Sequence, residues 1–166
     1  MSDKVEELPK PPKREKEIMD KIVTKLGNNI IDFEIKPRRI KVKVKSTCIK
    51  ETAEYFYKEL ELDHVQSVSG VDYPSDNEME VVYHMGSYTK KDMRDVVIAL
   101  ASRIPRDHPQ IQSLIDIWPG VEYDERETHE MLGIIFEGHP RLERLLLPED
   151  WDDIPPLRKD FKNPGR

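Results

Sequence analysis

One cysteine, Cys48, is all that the 166 residues contain. A disulfide framework is therefore excluded, and so is an iron–sulfur cluster held by the chain's own thiolates. Cys48 opens an apolar helical pattern and reads as a buried small hydrophobe rather than a nucleophile. A basic excess is also missing. The formal net charge is −6, so nucleic acid is not expected as the main ligand. No apolar run approaches the roughly 20 residues that a membrane-spanning helix needs. The N-terminal stretch has no apolar segment after its charges, so it does not read as a secretory signal. The expectation is a chain kept in the cytoplasm, with any membrane association made through partners. Amides are scarce as well: Gln66, Gln110, Gln112, Asn28, Asn29, Asn77 and Asn163 stand beside 36% charged residues. That balance suggests a heat-adapted source.

What is present reads as one α+β domain with appendages. Residues 1–13, with Pro9, Pro11 and Pro12, are polar and read as a flexible N-terminal arm. Ile18, Ile22, Val23 and Leu26 share one helical face from Arg14 to Leu26, with Gly27 as the stop. Ile30 to Ile35 and Arg39 to Val44 read as strands. In the second, Ile40, Val42 and Val44 alternate with Lys41, Lys43 and Lys45, which predicts a half-buried strand with one solvated face. Thr47 to Leu62 has helical spacing. Val65 to Tyr73 and Glu78 to Met85 read as a hairpin around Pro74-Ser75-Asp76-Asn77. Val96 to Ile104 is expected as a strand, and Ile111 to Ile117 as a helix ending at Trp118-Pro119-Gly120. The fold class is α+β: a mainly antiparallel sheet with helices packed on one face and an extended C-terminal tail. The domain spans 14–119. Residues 120–166 form a signature helical turn and an extended interface segment.

The densest chemistry lies in Tyr123-Asp124-Glu125-Arg126-Glu127-Thr128-His129-Glu130-Met131-Leu132-Gly133. Asp124 is placed to cap a helix of about two turns, with Glu127 closing a capping box and Gly133 as the left-handed terminator. So short a helix must be held by packing. Gly138-His139-Pro140 predicts a tight turn. Leu142, Leu145 and Leu146 follow at helical spacing, with Arg141 and Arg144 beside them.

These residues resemble a known family. Glu125-Arg126-Glu127, then Glu130 and Gly133-Ile134, are similar to the signature of the C subunit of NADH:quinone oxidoreductase (respiratory complex I). Its equivalent in membrane-bound energy-converting nickel–iron hydrogenases carries the same signature. The likeness continues through Phe136, Gly138-His139-Pro140, Leu142, Arg144-Leu145, Glu149-Asp150-Trp151 and Pro156-Leu157-Arg158-Lys159-Asp160-Phe161. It covers roughly Trp118 to Phe161. Tyr123-Asp124 stands where the family often has Trp-Tyr, Glu130 where Asp is common, and Leu132 where Phe is common. The resemblance implies a non-catalytic subunit without a cofactor of its own, in the hydrophilic arm of a membrane complex on the cytoplasmic side. Its partners would be the hydrogenase-like large subunit, iron–sulfur subunits and, indirectly, the ion-translocating membrane arm. Iron–sulfur clusters, and nickel–iron in one branch, would sit in those partners. The composition tips the choice towards the hydrogenase or ferredoxin-linked branch over a donor:quinone oxidoreductase.

Other readings of the same residues predict different geometry. Glu125, Glu127 and Glu130 as a catalytic carboxylate set would need a shared pocket. His129, Glu130 and His139 as a metal site would need convergence, although the zinc-helix spacing is absent. For the carboxylates, the simpler expectation is capping plus ion pairing with Arg126 or Arg144. Arg158, Lys159 and Asp160, beside Trp151, Leu157 and Phe161, read as a protein interface rather than an anion site.

Overall fold

A computed structural model describes residues 12–162; the expected N-terminal arm lies almost wholly outside them. Helix α1 (Lys13–Leu26) leads into a 3-10 turn and the hairpin β1 (Ile30–Lys36) and β2 (Arg39–Val44). Next come α2 (Ile49–Lys58), the long hairpin β3 (His64–Tyr73) and β4 (Glu78–Gly86), and β5 (Val97–Pro105). Short β6 (Gln110–Gln112), α3 (Glu122–Leu132) and β7 (Ile135–Glu137) complete the elements. The main sheet runs β1-β2-β5-β4-β3, with a second, two-stranded sheet β6-β7. Every pairing in the main sheet is antiparallel except β2 with β5. The fold is thus α+β with a mostly antiparallel sheet.

Alternation decides which face is covered. Ile40, Val42 and Val44 of β2, Ile98, Leu100 and Ile104 of β5, and Met79, Val81, Tyr83 and Met85 of β4 are all buried on one side. They form one core with Ile18, Met19, Ile22 and Leu26 of α1, and with Ile49, Ala53 and Phe56 of α2. Leu132 of α3 and the following Ile134 and Phe136 join the same core. The opposite face carries cross-strand charge, including Lys41 to Glu80 at 2.9 Å. Two buried polar groups tie elements to this frame. Glu15 of α1 accepts the main-chain N–H of Arg38 in the β1–β2 turn at 2.8 Å. The Trp118 indole N–H donates to the Leu62 carbonyl at 2.8 Å.

Four local expectations are corrected. Ile111 to Ile117 is not a helix. Ile111, Leu114 and Trp118 do enter the core, but through strand β6 and a turn, because Gln110–Gln112 pairs in parallel with Ile135–Glu137. The capping box at Asp124 does not form. A 3-10 turn over Pro119–Val121 runs straight into α3, so the helix starts at Glu122 and Asp124 lies inside it. Leu142, Leu145 and Leu146 lie in coil rather than helix. Cys48 is half-buried, not buried.

Candidate functional site

α3 is three turns of helix lying against β3, and a missing side chain permits that approach. A Cβ on Gly70 of β3 would fall 2.2 Å from Leu132 Cδ1 and 3.0 Å from Thr128 Cγ2. At its end Gly133 takes φ 80° and ψ 18°, and its N–H returns to the His129 carbonyl at 2.7 Å. Only glycine enters that left-handed region without penalty. The predicted terminator is therefore in place, although the predicted start is not.

Neighbouring residues on a helix face different directions, while residues four apart share a face. Glu125 and Arg126 accordingly part company. Glu125 points into the core and is fully buried. Its Oε1 accepts from the Tyr83 hydroxyl at 2.8 Å and from the Leu114 N–H at 2.9 Å, and its Oε2 accepts from the Ser113 hydroxyl at 2.5 Å. Burial pushes its carboxyl above the usual range, and the three donors only partly oppose that push. The Tyr83 phenol is driven well up by burial and by the Glu125 charge.

Arg126 and Glu130, four residues apart, face the tail together. Arg126 donates through Nε to the Glu143 carbonyl at 3.1 Å and through Nη2 to the Arg144 carbonyl at 2.9 Å. Glu130 accepts the N–H groups of Leu145, Leu146 and Leu147 at 3.2, 2.8 and 2.9 Å. The two side chains thus clamp consecutive peptide groups from 143 to 147, a fork on the carbonyls and a carboxylate on the amides. This accounts for the coil: backbone groups that a helix would pair internally are satisfied by α3. Burial alone would raise the Glu130 carboxyl, but these three N–H groups and the Arg144 charge hold it below its usual value. Arg144 in turn donates to the carbonyls of Pro148, at 2.6 Å, and Glu149, at 2.8 Å, and also to that of Trp151.

The tail then doubles back over α3 and β3. Leu157 N–H donates to the Met131 carbonyl at 2.9 Å. Lys159 N–H donates to Asp72 at 2.8 Å, and the Asp72 side chain is fully buried. Arg106 joins this knot, with Nε 2.7 Å from Asp72 and Nη2 2.9 Å from Asp160. Hydrogen bonds and the Arg106 charge hold the Asp72 carboxyl low against its burial. Trp151 and Phe161 rings lie 5.8 Å apart. Pro155 sits over Gly133, whose added Cβ would meet Pro155 Cγ at 3.3 Å. Pro156 and Arg158 are half-buried beside this turn. Gly138, at φ 86°, turns the chain so that His139 reaches back to α3. His139 Nδ1 accepts from the Arg141 N–H at 3.1 Å, so Nε2 carries the proton given to the Glu122 carbonyl at 3.2 Å. Pro140 is exposed.

These partners decide between the chemical readings. The expected ion pairing of Glu125, Glu127 and Glu130 with Arg126 or Arg144 does not occur: Glu125, Glu130 and the two arginines bind backbone or hydroxyls instead. Glu127 is exposed, so the three carboxylates face three environments and share no pocket. His129 Nδ1 is spent on the Ile134 carbonyl at 2.7 Å, away from the bond that His139 makes. A cleft of about 350 Å3 does open between α3 and the tail, lined by Glu130, Arg144, Trp151 and Asp153. The Glu130 oxygens facing it are already occupied by the three N–H groups. Tyr83, Ser113, Asp72 and Arg106 belong to the site and were not singled out from sequence. Asp72 offered a signal, since a carboxylate at an inward position of β3 demands a partner.

Two charges of this helix are thus spent on the chain's own backbone, and they fix the course of the tail. The chain belongs to the family described as the 30 kDa subunit of respiratory-chain NADH dehydrogenase, whose family model matches residues 42–166. It is 44% identical over 126 residues to the C subunit of F420H2 dehydrogenase from Methanosarcina mazei, covering 76% of this chain and 77% of that one. It is 46% identical over 103 residues to the C subunit of NADH-quinone oxidoreductase from Roseiflexus sp., covering 61% of this chain and 56% of that relative's length. Among solved structures, a chain of the membrane-bound sulfane sulfur reductase, described as an archaeal respiratory membrane complex, superposes with a TM-score of 0.73. That match has 25% identity and covers 89% of this chain and 85% of that one. A trypsin-resistant fragment of Nqo5 shares the fold, with a TM-score of 0.64 and 24% identity, covering 78% of this chain and 99% of the fragment.

Proposed function

We propose that this chain is the non-catalytic C subunit of a membrane-associated, complex I-like oxidoreductase, seated in the hydrophilic arm against a hydrogenase-like large subunit. The clamp of Arg126 and Glu130 on residues 143–147 supports this reading most directly. It spends the signature charges internally and holds Leu145 and Leu146, 37% and 60% exposed, outward at fixed positions. Ile154 and Leu157 continue the exposed apolar surface along the tail, and apolar groups presented on a fixed backbone suit burial beneath a second polypeptide. No helix among the described residues is long and apolar enough to cross a membrane, so attachment would run through partners, on the cytoplasmic side. Iron–sulfur clusters would lie in neighbouring chains. The protein would hold them at electron-transfer distance while the membrane arm moves ions.

The 44% identity to an F420H2 dehydrogenase subunit supports a donor-dehydrogenase branch. The hydrogenase or ferredoxin-linked branch, towards which the composition leaned, is the second reading; the likeness to a chain of an archaeal respiratory membrane complex supports a membrane-bound assembly in either branch. Native purification of the tagged chain from its own source tests both. The expected result is co-purification with a hydrogenase-related large subunit and iron–sulfur proteins, whose identities set the branch. A chain that purifies alone and turns over a substrate would overturn the proposal.

A further inference from the structure

One cleft gathers cations against the chain's overall charge of −6. It opens beside the β1–β2 turn, has a volume of about 570 Å3, and is lined by Lys36, Arg38, Arg39 and Arg94 with a single carboxylate, Asp95. None of these residues takes part in the α3–tail site.

The backbone adds an independent observation. Pro37 and Arg38 form a two-residue turn between the paired Lys36 and Arg39, and Arg38 sits at φ 62°. After a proline at the first turn position, a positive φ at the second ordinarily belongs to glycine or asparagine. The turn is held by Glu15 accepting the Arg38 main-chain N–H at 2.8 Å, a bond that glycine would make equally well. Nothing in the turn's geometry therefore calls for arginine, and strain at such a position points from structure towards function. What arginine adds is a guanidinium at the mouth of the cleft. Its contacts within the chain are long and confined to Asp95: Nε donates to the Asp95 carbonyl at 3.4 Å and Nη2 is 3.6 Å from the Asp95 carboxylate, with both side chains mostly exposed. An exposed pair at that distance contributes little.

The other cations are arranged in keeping with this. Arg94 is anchored only through Nε, which donates to the Tyr88 carbonyl at 3.0 Å. Its two terminal amino groups have no partner among the described residues. Lys36 contacts Glu34 at 2.7 Å on the exposed strand, which leaves the three arginines as the main donors.

We propose that this cleft binds a phosphate-bearing anion of more than one negative charge. Guanidinium forks match phosphate oxygens in pairs, which a lone ammonium cannot do. The cleft is open to solvent and has room for more than one phosphate group. A soluble diphosphate and the headgroup of an anionic lipid share this chemistry.

The test uses the full-length chain at low salt, where surface charge is least screened. Inorganic pyrophosphate is titrated calorimetrically, and flotation is measured on vesicles of phosphatidylglycerol in phosphatidylcholine against phosphatidylcholine alone. Saturable pyrophosphate binding without flotation indicates a soluble ligand; flotation competed by pyrophosphate indicates the lipid. Loss of one charged contact in Arg94→Ala or Arg38→Gly should weaken binding about tenfold. Arg38→Gly should also relieve the turn, holding Tm or raising it by about 2–4 °C, so weaker binding could not be blamed on misfolding. Asp95→Asn, which removes the competing carboxylate, should tighten binding. The proposal is overturned if neither probe binds, or if both arginine variants bind as the parent does. It also fails if Arg38→Gly lowers Tm while Asp95→Asn leaves affinity unchanged, because Arg38 would then serve only its ion pair.

Discussion

Arg126→Ala tests whether the signature arginine is a clamp. The side chain is 5% exposed and donates to two carbonyls, those of Glu143 and Arg144. Hydrogen bonds from a charged group contribute about 1.5–3 kcal/mol each, and the two share one side chain, so removal should cost about 3 kcal/mol. For a chain of this size that corresponds to a fall in Tm of roughly 6–12 °C. The cost should be local before it is global. Hydrogen exchange at the amides of Leu145, Leu146 and Leu147 should accelerate, because Glu130 can no longer hold a segment whose carbonyl end is free. Arg126→Lys should recover only part of the stability, since a point charge replaces a planar fork. If the native complex is formed, its assembly should fail along with the tail. Unchanged exchange at these amides would refute the clamp, and a fully assembled variant complex without turnover would point to chemistry at Arg126 instead.

Three further outcomes follow from the same geometry. Glu125→Gln should be nearly neutral or stabilising near pH 7. The folded carboxyl titrates above its unfolded value, so its contribution is complete below the usual carboxylate range and is lost as pH rises through the raised value; urea denaturation across pH should show that slope vanish in the variant. Glu130 has the opposite sign. Its depressed carboxyl supports the fold above the ordinary value and ceases to do so in acid, so Glu130→Gln should cost about 2 kcal/mol at pH 7 and little at low pH, read by the same titration. Gly70→Ala should cost about 1–3 kcal/mol by crowding Leu132 and Thr128, and adding Leu132→Ala should make the pair less than additive in thermal denaturation.

The strands of the main sheet were legible because each one alternates or ends at a turn that its own residues specify. Ile40, Val42 and Val44 show this on β2, and so does Asn77, which takes φ 53° at the end of the β3–β4 turn. The region around Ile111 was misread for a physical reason. Positions 111, 114 and 118 satisfy a helical period, yet the backbone is claimed by β7, about 25 residues further on. Local periodicity carries no information about a partner strand that comes later. The absent capping box has a similar origin: Asp124 looks like a helix start until Pro119–Val121 is seen to wind the first turn already. The site was half legible. Gly133 could be placed from local rules, whereas the partners of Glu125 lie 42 and 12 residues upstream.

Of the ion pairing expected for these carboxylates with Arg126 or Arg144, the pairing of Glu125 and Glu127 with Arg126 failed for a reason contained in helix geometry itself. Successive side chains diverge by about 100°, so a run of alternating charge on a helix addresses three surroundings at once. Here those are the core for Glu125, the tail for Arg126 and solvent for Glu127. The pair that does share a face, Arg126 and Glu130, has opposite charges and proper spacing for a bridge, yet each binds peptide groups of the tail instead. That choice is favourable because a carboxylate on three N–H groups and a guanidinium on two carbonyls satisfy five backbone groups of the tail. A bridge between the two would satisfy none of them and would leave residues 143–147 to find partners in water. A segment so fixed cannot coil into a helix of its own. Leu145 and Leu146 are therefore held outward as a preformed apolar surface, for which much of the ordering cost of binding a partner is already met.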